Sequence, residues 1–449
     1  MKTIFSILFT FILFPAFSQN LQPLKISEDD RYLVTQDNDP FFWLGGTAWE
    51  MIHRLNREEI DHYLEDRAAK GFTIVQTVIL AELDGLNTPN AYGDKPLINN
   101  DPTQINESYF EHVDYLVKKA DELGIYVGLL PTWGDKFNKK WGVGPEIFTP
   151  ENAEVFGEIL AKRYMEQGNI IWVLGGDRPL ENKKHRSIIK SMARGIRNVD
   201  TQKLITYHPP GAQKATNFFN DPLLDVDMLQ TGHDRKAREY NFVRESLEEK
   251  PKRPVINGES RYENIKNRFW EPGDHEWMDD SDVRKSAYWS FLSGAAGYTY
   301  GCNDIWQMYD YDHQPTLEAR TGWREALNLP GSRHMMFMKN LFTSLPWQQL
   351  ENDQKLILSE NPENQDYIMS AIDKEKNFII VYIPRGHEFQ LDLSDLNEED
   401  LKAYWFNPRS GELHFEGNYK SSDKPVFKPW STGRGSDFVL VVSGSDFEL

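Results

Sequence analysis

A chain of 449 residues that is 39% hydrophobic and 13% aromatic can bury a large core and has room for two domains. Its formal charge of −19 excludes the basic footprint that nucleic acid or an anionic membrane surface demands, though a local cluster of Arg and Lys could still hold an anionic sugar. The one cysteine, Cys302, excludes an internal disulfide and a metal site built on Cys, while thirteen Trp and nineteen Tyr exceed what a core needs and suit flat platforms for sugar rings.

Residues 1–18 read as a secretory signal peptide. Lys2 supplies the positive start, and Ile4 to Phe14 is an uncharged apolar run, shorter than the roughly 20 residues of a membrane span. Ala16 and Ser18 place small residues before a cut at Gln19, and no Cys follows that would carry a lipid anchor. Export to the periplasm or beyond the cell is the expectation.

From about residue 40, short apolar or β-branched runs alternate with amphipathic stretches. The runs lie at 41–48, 72–80, 125–133, 170–177, 204–210, 227–233, 254–260 and 297–303. Asn56 as a cap with Glu59 three residues on predicts a helix over 56–70. Phe110, Val113, Leu116, Val117, Ala120 and Leu123 keep a helical period over 108–123, and Thr149-Pro150 opens the next helix. Further helices are predicted over 184–198, 237–248, 281–293 and 332–344. Eight runs alternating with helices predict an α/β fold, a (β/α)8 TIM barrel occupying 19–346. No G-x-G-x-x-G follows the first run, which argues against an open doubly wound sheet. Beyond 347 the pattern changes to short alternating segments separated by turns, such as Asn407-Pro408-Arg409-Ser410-Gly411. They predict a C-terminal antiparallel β-sandwich domain, 347–449, which the short join should hold rigidly as a brace.

In such a barrel, chemistry belongs at the carboxyl ends of the strands. The runs end in Trp49, His53 and Arg54; in Glu82 and Asp84; in Trp133, Asp135 and Lys136; in Asp177 and Arg178; in His208; in His233 and Arg235; in Glu259 and Arg261; and in Asp304 and Trp306. Acidic, basic and aromatic groups therefore converge on one face. Asp177 closes the fourth run and Glu259 the seventh, each just after a glycine. Two carboxylates across a barrel mouth suit glycoside hydrolysis, in which one must hold a proton and the other must be ionised. A lone strand-end carboxylate more often caps a helix or pairs with a neighbouring Arg; Glu82, Asp84 and Asp304 are read as solvated or substrate-positioning loop acids. Trp49, Trp133, Trp141 and Trp306 are candidate floors for sugar rings. Arg54, Lys136, Arg178, Arg235 and Arg261 suit a carboxylate on the substrate, and His53, His208 and His233 suit its hydroxyls. Without an H-x-H after the first run or an H-E-x-x-H anywhere, those histidines are not read as metal ligands, and no cofactor motif is present.

The stretches "FFWLGGTAWEMIHRLNREEIDHYLEDRAAKGFTIVQ", "GLLPTWGDK", "WVLGGDRP", "INGESRYE" and "SGAAGYTYGCNDIWQMYD" together resemble the apiosidase-like proteins of glycoside hydrolase family 140. The resemblance runs from about 25 to 345 and continues into the C-terminal β domain. It implies a (β/α)8 barrel with a C-terminal β-sandwich. It implies cleavage of the linkage between apiose and galacturonic acid in the plant cell-wall pectin rhamnogalacturonan II. It also implies Asp177 as general acid/base and Glu259 as nucleophile of a retaining mechanism. Many barrel glycosidases present Asn-Glu at the end of strand four where this chain has Gly176-Asp177, so the carboxyl separation, about 5 Å for retention and beyond about 6.5 Å for inversion, is not legible in the sequence. Another glycosidase on the same scaffold and a non-catalytic polysaccharide-binding protein are the alternative readings.

Overall fold

The computed structural model describes residues 20–220, 222–447 and 449. The expected signal peptide lies outside the described residues. Among the described residues, no helix is long and apolar enough to cross a membrane.

Eight parallel strands form the wall of the first domain: β1 Trp43–Thr47, β2 Ile74–Leu80, β3 Tyr126–Thr132, β4 Ile170–Gly175, β5 Ile205–His208, β6 Asp227–Gln230, β7 Val255–Glu259 and β8 Gly297–Cys302. Every residue in them is buried, as expected of strands covered on both faces. Ile74, Val78, Ile171, Val173, Met228 and Ile256 fill the lumen with Trp43. Their neighbours Val75, Ile79, Trp172 and Leu174 point outward into the helix layer. Parallel pairing runs unbroken from β5 back through β1 to β8, β7 and β6.

The seam between β5 and β6 closes differently. Ile205 N donates to Asp225 Oδ2 at 2.7 Å, Thr206 Oγ1 donates to the Val226 carbonyl at 2.9 Å, and Asp225 N donates to the Ile205 carbonyl at 2.9 Å. The chain then returns at Gln213–Lys214 to pair antiparallel with β6. At the amino end, a three-stranded antiparallel sheet of Lys25–Ile26, Leu33–Val34 and Pro40–Phe41 seats Leu24, Leu33 and Phe41 against the bottom of the lumen.

The outer helices are α1 Arg57–Ala69, α2 Glu107–Glu122, α3 Pro150–Arg163, α4 Lys183–Val199, α5 Glu239–Glu248, α6 Asp280–Leu292 and α7 Pro330–Thr343. Capping boxes start three of them, at Asn56 with Glu59, Thr149 with Asn152, and Asp279 with Asp282.

The C-terminal domain is one six-stranded antiparallel sheet with a two-stranded ribbon, Phe389–Gln390 against Val426–Phe427. Alternate residues of its strand β11, Phe378–Ile383 (after β9 Leu350–Asn352 and β10 Met369–Asp373), face two different cores. Ile380 and Tyr382 join the core shared with α6 and α7, whereas Ile379, Val381 and Ile383 pack with Phe389, Trp405 and Phe427. The second layer of this sandwich is therefore short, because the barrel helices cover the sheet's other face.

Candidate active site

Three consecutive left-handed residues end β4: Gly175 at φ 93°, Gly176 at φ 117° and Asp177 at φ 45°. Only the first two positions demand glycine on space. A Cβ on Gly175 would fall 2.5 Å from the Tyr207 ring, and one on Gly176 would fall 2.8 Å from Gly134 N. Asp tolerates the third position better than most residues do. This twist turns the chain out of the wall and aims the Asp177 carboxylate into the mouth, where its side chain is 25% exposed.

Glu259 ends β7 and is more enclosed, with its side chain 6% exposed. His233 Nε2 lies 3.1 Å from its Oε1, and His208 Nε2 lies 2.9 Å from its Oε2. The His233 ring sits 4.4 Å from the Tyr262 ring, and the Tyr262 hydroxyl accepts from Trp49 Nε1 at 3.2 Å. Trp49 and Trp133 lie 5.1 Å apart, and each contacts His208, at 5.3 and 5.7 Å. Below this layer, Gln76 reaches across the lumen to donate to the Gly258 carbonyl at 2.9 Å, bracing the backbone beside Glu259.

The electrostatics separate the two acids. Burial and the Glu259 charge push Asp177 up to about 6, against the pull of Arg178, His208 and His233. Burial alone would raise Glu259, but His208 and His233 outweigh it and hold the carboxylate down at about 2. One group keeps a proton into the mildly acidic range while the other is ionised, which is the division of labour that glycoside hydrolysis needs.

Arg178 is fully buried and is not spent on Asp177 alone. Its Nη2 pairs with Glu82 Oε1 at 2.5 Å, while Nη1 donates to the Asp177 carbonyl at 2.9 Å and lies 3.4 Å from Asp177 Oδ2. Burial pushes Glu82 up to about 7 in spite of the guanidinium.

Residues 27–349 match the family described as "Apiosidase-like, catalytic domain". The chain belongs to the apiosidase-like family. Residues 352–443 of this apiosidase-like protein match a second family, described as "Putative collagen-binding domain of a collagenase". A solved glycoside hydrolase is 30% identical with a TM-score of 0.87, covering 95% of this chain and 98% of its own. A glycoside hydrolase family 5 structure from Bacteroides vulgatus ATCC 8482 is 31% identical with a TM-score of 0.86, covering 94% and 93%. A further structure from the same organism, described as "a putative glycoside hydrolase", is 15% identical with a TM-score of 0.70, covers 94% and 82%, and shares the fold. No curated protein matches. The apiosidase-like protein is thus a glycoside hydrolase built on a TIM barrel, with a C-terminal antiparallel sheet domain.

The structure brings Asp177, Glu259, Arg178, His208, His233, Trp49 and Trp133 together. Trp306 joins the same cluster from the β8 loop and donates to Asn303 Oδ1 at 3.1 Å. The remaining charged candidates are engaged elsewhere. His53 Nδ1 contacts Glu50 Oε2 at 2.6 Å, and its Nε2 contacts the Thr88 carbonyl at 3.2 Å. Arg54 donates to the Gln307 carbonyl at 2.6 Å and ties two loops together. Lys136 is fully buried against Asp135 at 2.7 Å. Arg235 is held at the start of α6, with Nε 3.0 Å from Asp282 Oδ1 and Nη2 donating to the Trp277 carbonyl at 2.9 Å. Arg261 is a correction of position: it leaves the mouth altogether and is buried behind the wall on Glu239 at 2.9 Å. Each is taken up by a carboxylate or carbonyl of a neighbouring loop or helix.

Of the loop acids, Asp84 accepts from Asn87 Nδ2 at 2.8 Å within a turn, and Asp304 accepts from the backbone N–H of Arg320 and Thr321 at 2.8 and 3.0 Å. Glu82 departs from the reading of a loop acid, since it reaches Arg178. Sequence reasoning missed Tyr262 entirely. The one available signal is Gly301, whose Cβ would fall 2.0 Å from the Tyr262 ring and which pairs with it in the register of β8.

Proposed function

We propose that this glycoside hydrolase cleaves the apiose–galacturonic acid linkage of rhamnogalacturonan II with retention of configuration. The observation that carries the two-carboxylate reading is the placement of Asp177 and Glu259 at the ends of β4 and β7, with His208 and His233 both against Glu259 and Arg178 against Asp177; the opposite shifts of the two acids agree with it. The apiosidase-like family match supports the sugar. Asp177 gives its proton to the glycosidic oxygen as the bond to the anomeric carbon breaks. Glu259 Oε attacks that carbon and forms a glycosyl-enzyme. Water then displaces Glu259 while Asp177 takes the water's proton, returning both groups to their starting states. Trp49, Trp133, Tyr262 and His208 enclose the small furanose around Glu259. An exported enzyme would meet this substrate among plant cell-wall fragments in the periplasm or outside the cell.

The test is digestion of rhamnogalacturonan II by the wild type, Asp177→Ala and Glu259→Ala, with the released oligosaccharides analysed for apiose at the reducing end. Release by the wild type and loss of at least about a thousandfold in both variants is expected, since each removes a group that acts only in the transition state. Normal release by either variant removes that residue from the mechanism. The anomer of the first-formed product, followed by NMR, decides retention.

A further inference from the structure

Trp141 breaks the pattern of the other candidate tryptophans. Trp49, Trp133 and Trp306 are buried, whereas Trp141 is 64% exposed. Its ring is nevertheless held in a defined place: the Arg178 guanidinium carbon lies 4.5 Å from the ring centroid. The same guanidinium contacts Asp177 through Nη1 and Glu82 through Nη2. One planar group therefore links the acid, its buried counter-charge and an exposed aromatic face.

The loop that carries Trp141 is fastened from below. Gly144 N donates to Asp135 Oδ2 at 2.8 Å, and Asp135 is itself paired with Lys136. Ile147 N donates to the Lys136 carbonyl at 2.8 Å. Gly142 packs so closely that a Cβ there would fall 2.4 Å from Asp135 Cβ and 2.7 Å from Arg178 Nη2. A large ring left in water on so fixed a loop is a platform awaiting a flat apolar face.

We infer that Trp141 is the floor of the leaving-group subsite, stacking on the pyranose ring of the galacturonic acid that departs. This rests on the reaction proposed above. A proton donor lies beside the leaving oxygen, so a platform held on the same guanidinium as Asp177 is placed on the departing sugar's side, away from the Glu259 enclosure. Arg178 and Glu82 are positioning residues for it: the buried ion pair fixes the guanidinium, and the guanidinium fixes the ring.

The experiment has two arms, on the wild type, Trp141→Ala and Trp141→Phe. In the first, steady-state cleavage of rhamnogalacturonan II is measured. Trp141→Ala is expected to raise KM about tenfold with kcat within about threefold, because stacking on the leaving sugar is made in ground and transition states alike. Trp141→Phe, which keeps an aromatic face, should recover most of the loss. In the second, a trimer of galacturonic acid is titrated against each protein with calorimetric detection and no turnover, and Trp141→Ala should weaken binding about tenfold. Unchanged KM and unchanged trimer binding in Trp141→Ala overturn the inference, as does a fall in kcat with KM unmoved. A wild type that leaves rhamnogalacturonan II intact refutes the substrate reading, and the trimer titration then decides the platform by itself.

Discussion

Asp177 and Arg178 are adjacent in sequence, and adjacency alone would lower the acid. Tertiary contact with Glu82 changes that balance by giving the guanidinium a second carboxylate. The kcat/KM of the wild type should hold level through acidic pH and fall about tenfold per unit above pH about 6, where Asp177 loses its proton. The limb set by Glu259, near 2, lies below the range in which such enzymes are assayed. Glu82→Gln should move the alkaline limb to lower pH, and only slightly, because Glu82, pushed up to about 7, is itself mostly protonated where Asp177 titrates. With its partner neutral, Arg178 acts with full charge on Asp177 and favours the anion. A pH–rate profile of the variant checks the sign; an upward move would contradict it, since a Glu82 anion opposes ionisation of Asp177 both by direct repulsion and by sharing the Arg178 charge. Glu82 was legible in the sequence only as a strand-end acid, since the sequence does not show which of several nearby bases it meets.

At the scale of elements, β4 is where the local sequence and the global fold meet. Its apolar run, Ile170–Leu174, reads as a buried strand, and the two glycines that follow the run permit a turn in which a Cβ would clash at either position. Gly176→Ala places a Cβ at φ 117°, 2.8 Å from Gly134 N and 2.9 Å from the Trp133 ring. The variant should lose about 1–3 kcal/mol of stability, read by denaturant unfolding, and more than tenfold in kcat, because Asp177 and Trp133 shift together. The predicted helices have the same kind of local origin. Asn56 and Thr149 identify starts that the structure shows as α1 and α3, since a capping box involves only four neighbouring residues. The β5–β6 seam has no such local signature. It depends on Asp225 meeting Ile205, twenty positions earlier in the chain.

Over the whole molecule, the C-terminal sheet is welded to α6. Asp437 receives two hydrogen bonds from Arg284, at 2.8 and 2.7 Å, and a third from the Tyr382 hydroxyl at 3.0 Å. Tyr382 stacks on Tyr288 with centroids 4.6 Å apart and planes at 5°. Trp289 Nε1 donates to the Tyr367 carbonyl at 3.0 Å. Such a joint argues for bracing. Asp437→Ala leaves a buried guanidinium short of its best partner, although Asp280 still contacts it. A loss of about 3 kcal/mol is expected, at the low end for a broken buried pair. Thermal unfolding should remain one transition at a lower midpoint. Two separated transitions would show that the domains are not held as one unit.

The division between sequence and tertiary structure follows the range of the forces involved. Strand and helix order, the two capped starts, the change to short alternating strands and the two carboxylates at strand ends could all be read from the sequence, because periodicity, caps and strand ends are set by neighbours along the chain. The fate of each charged side chain on the active face could not. Arg178 is bound between Glu82 and Asp177, Arg261 lies behind the wall with Glu239, and Lys136 is buried on Asp135, although all three look alike in sequence. A charge entering low dielectric must find a partner, and which partner lies within reach is decided only when the barrel closes.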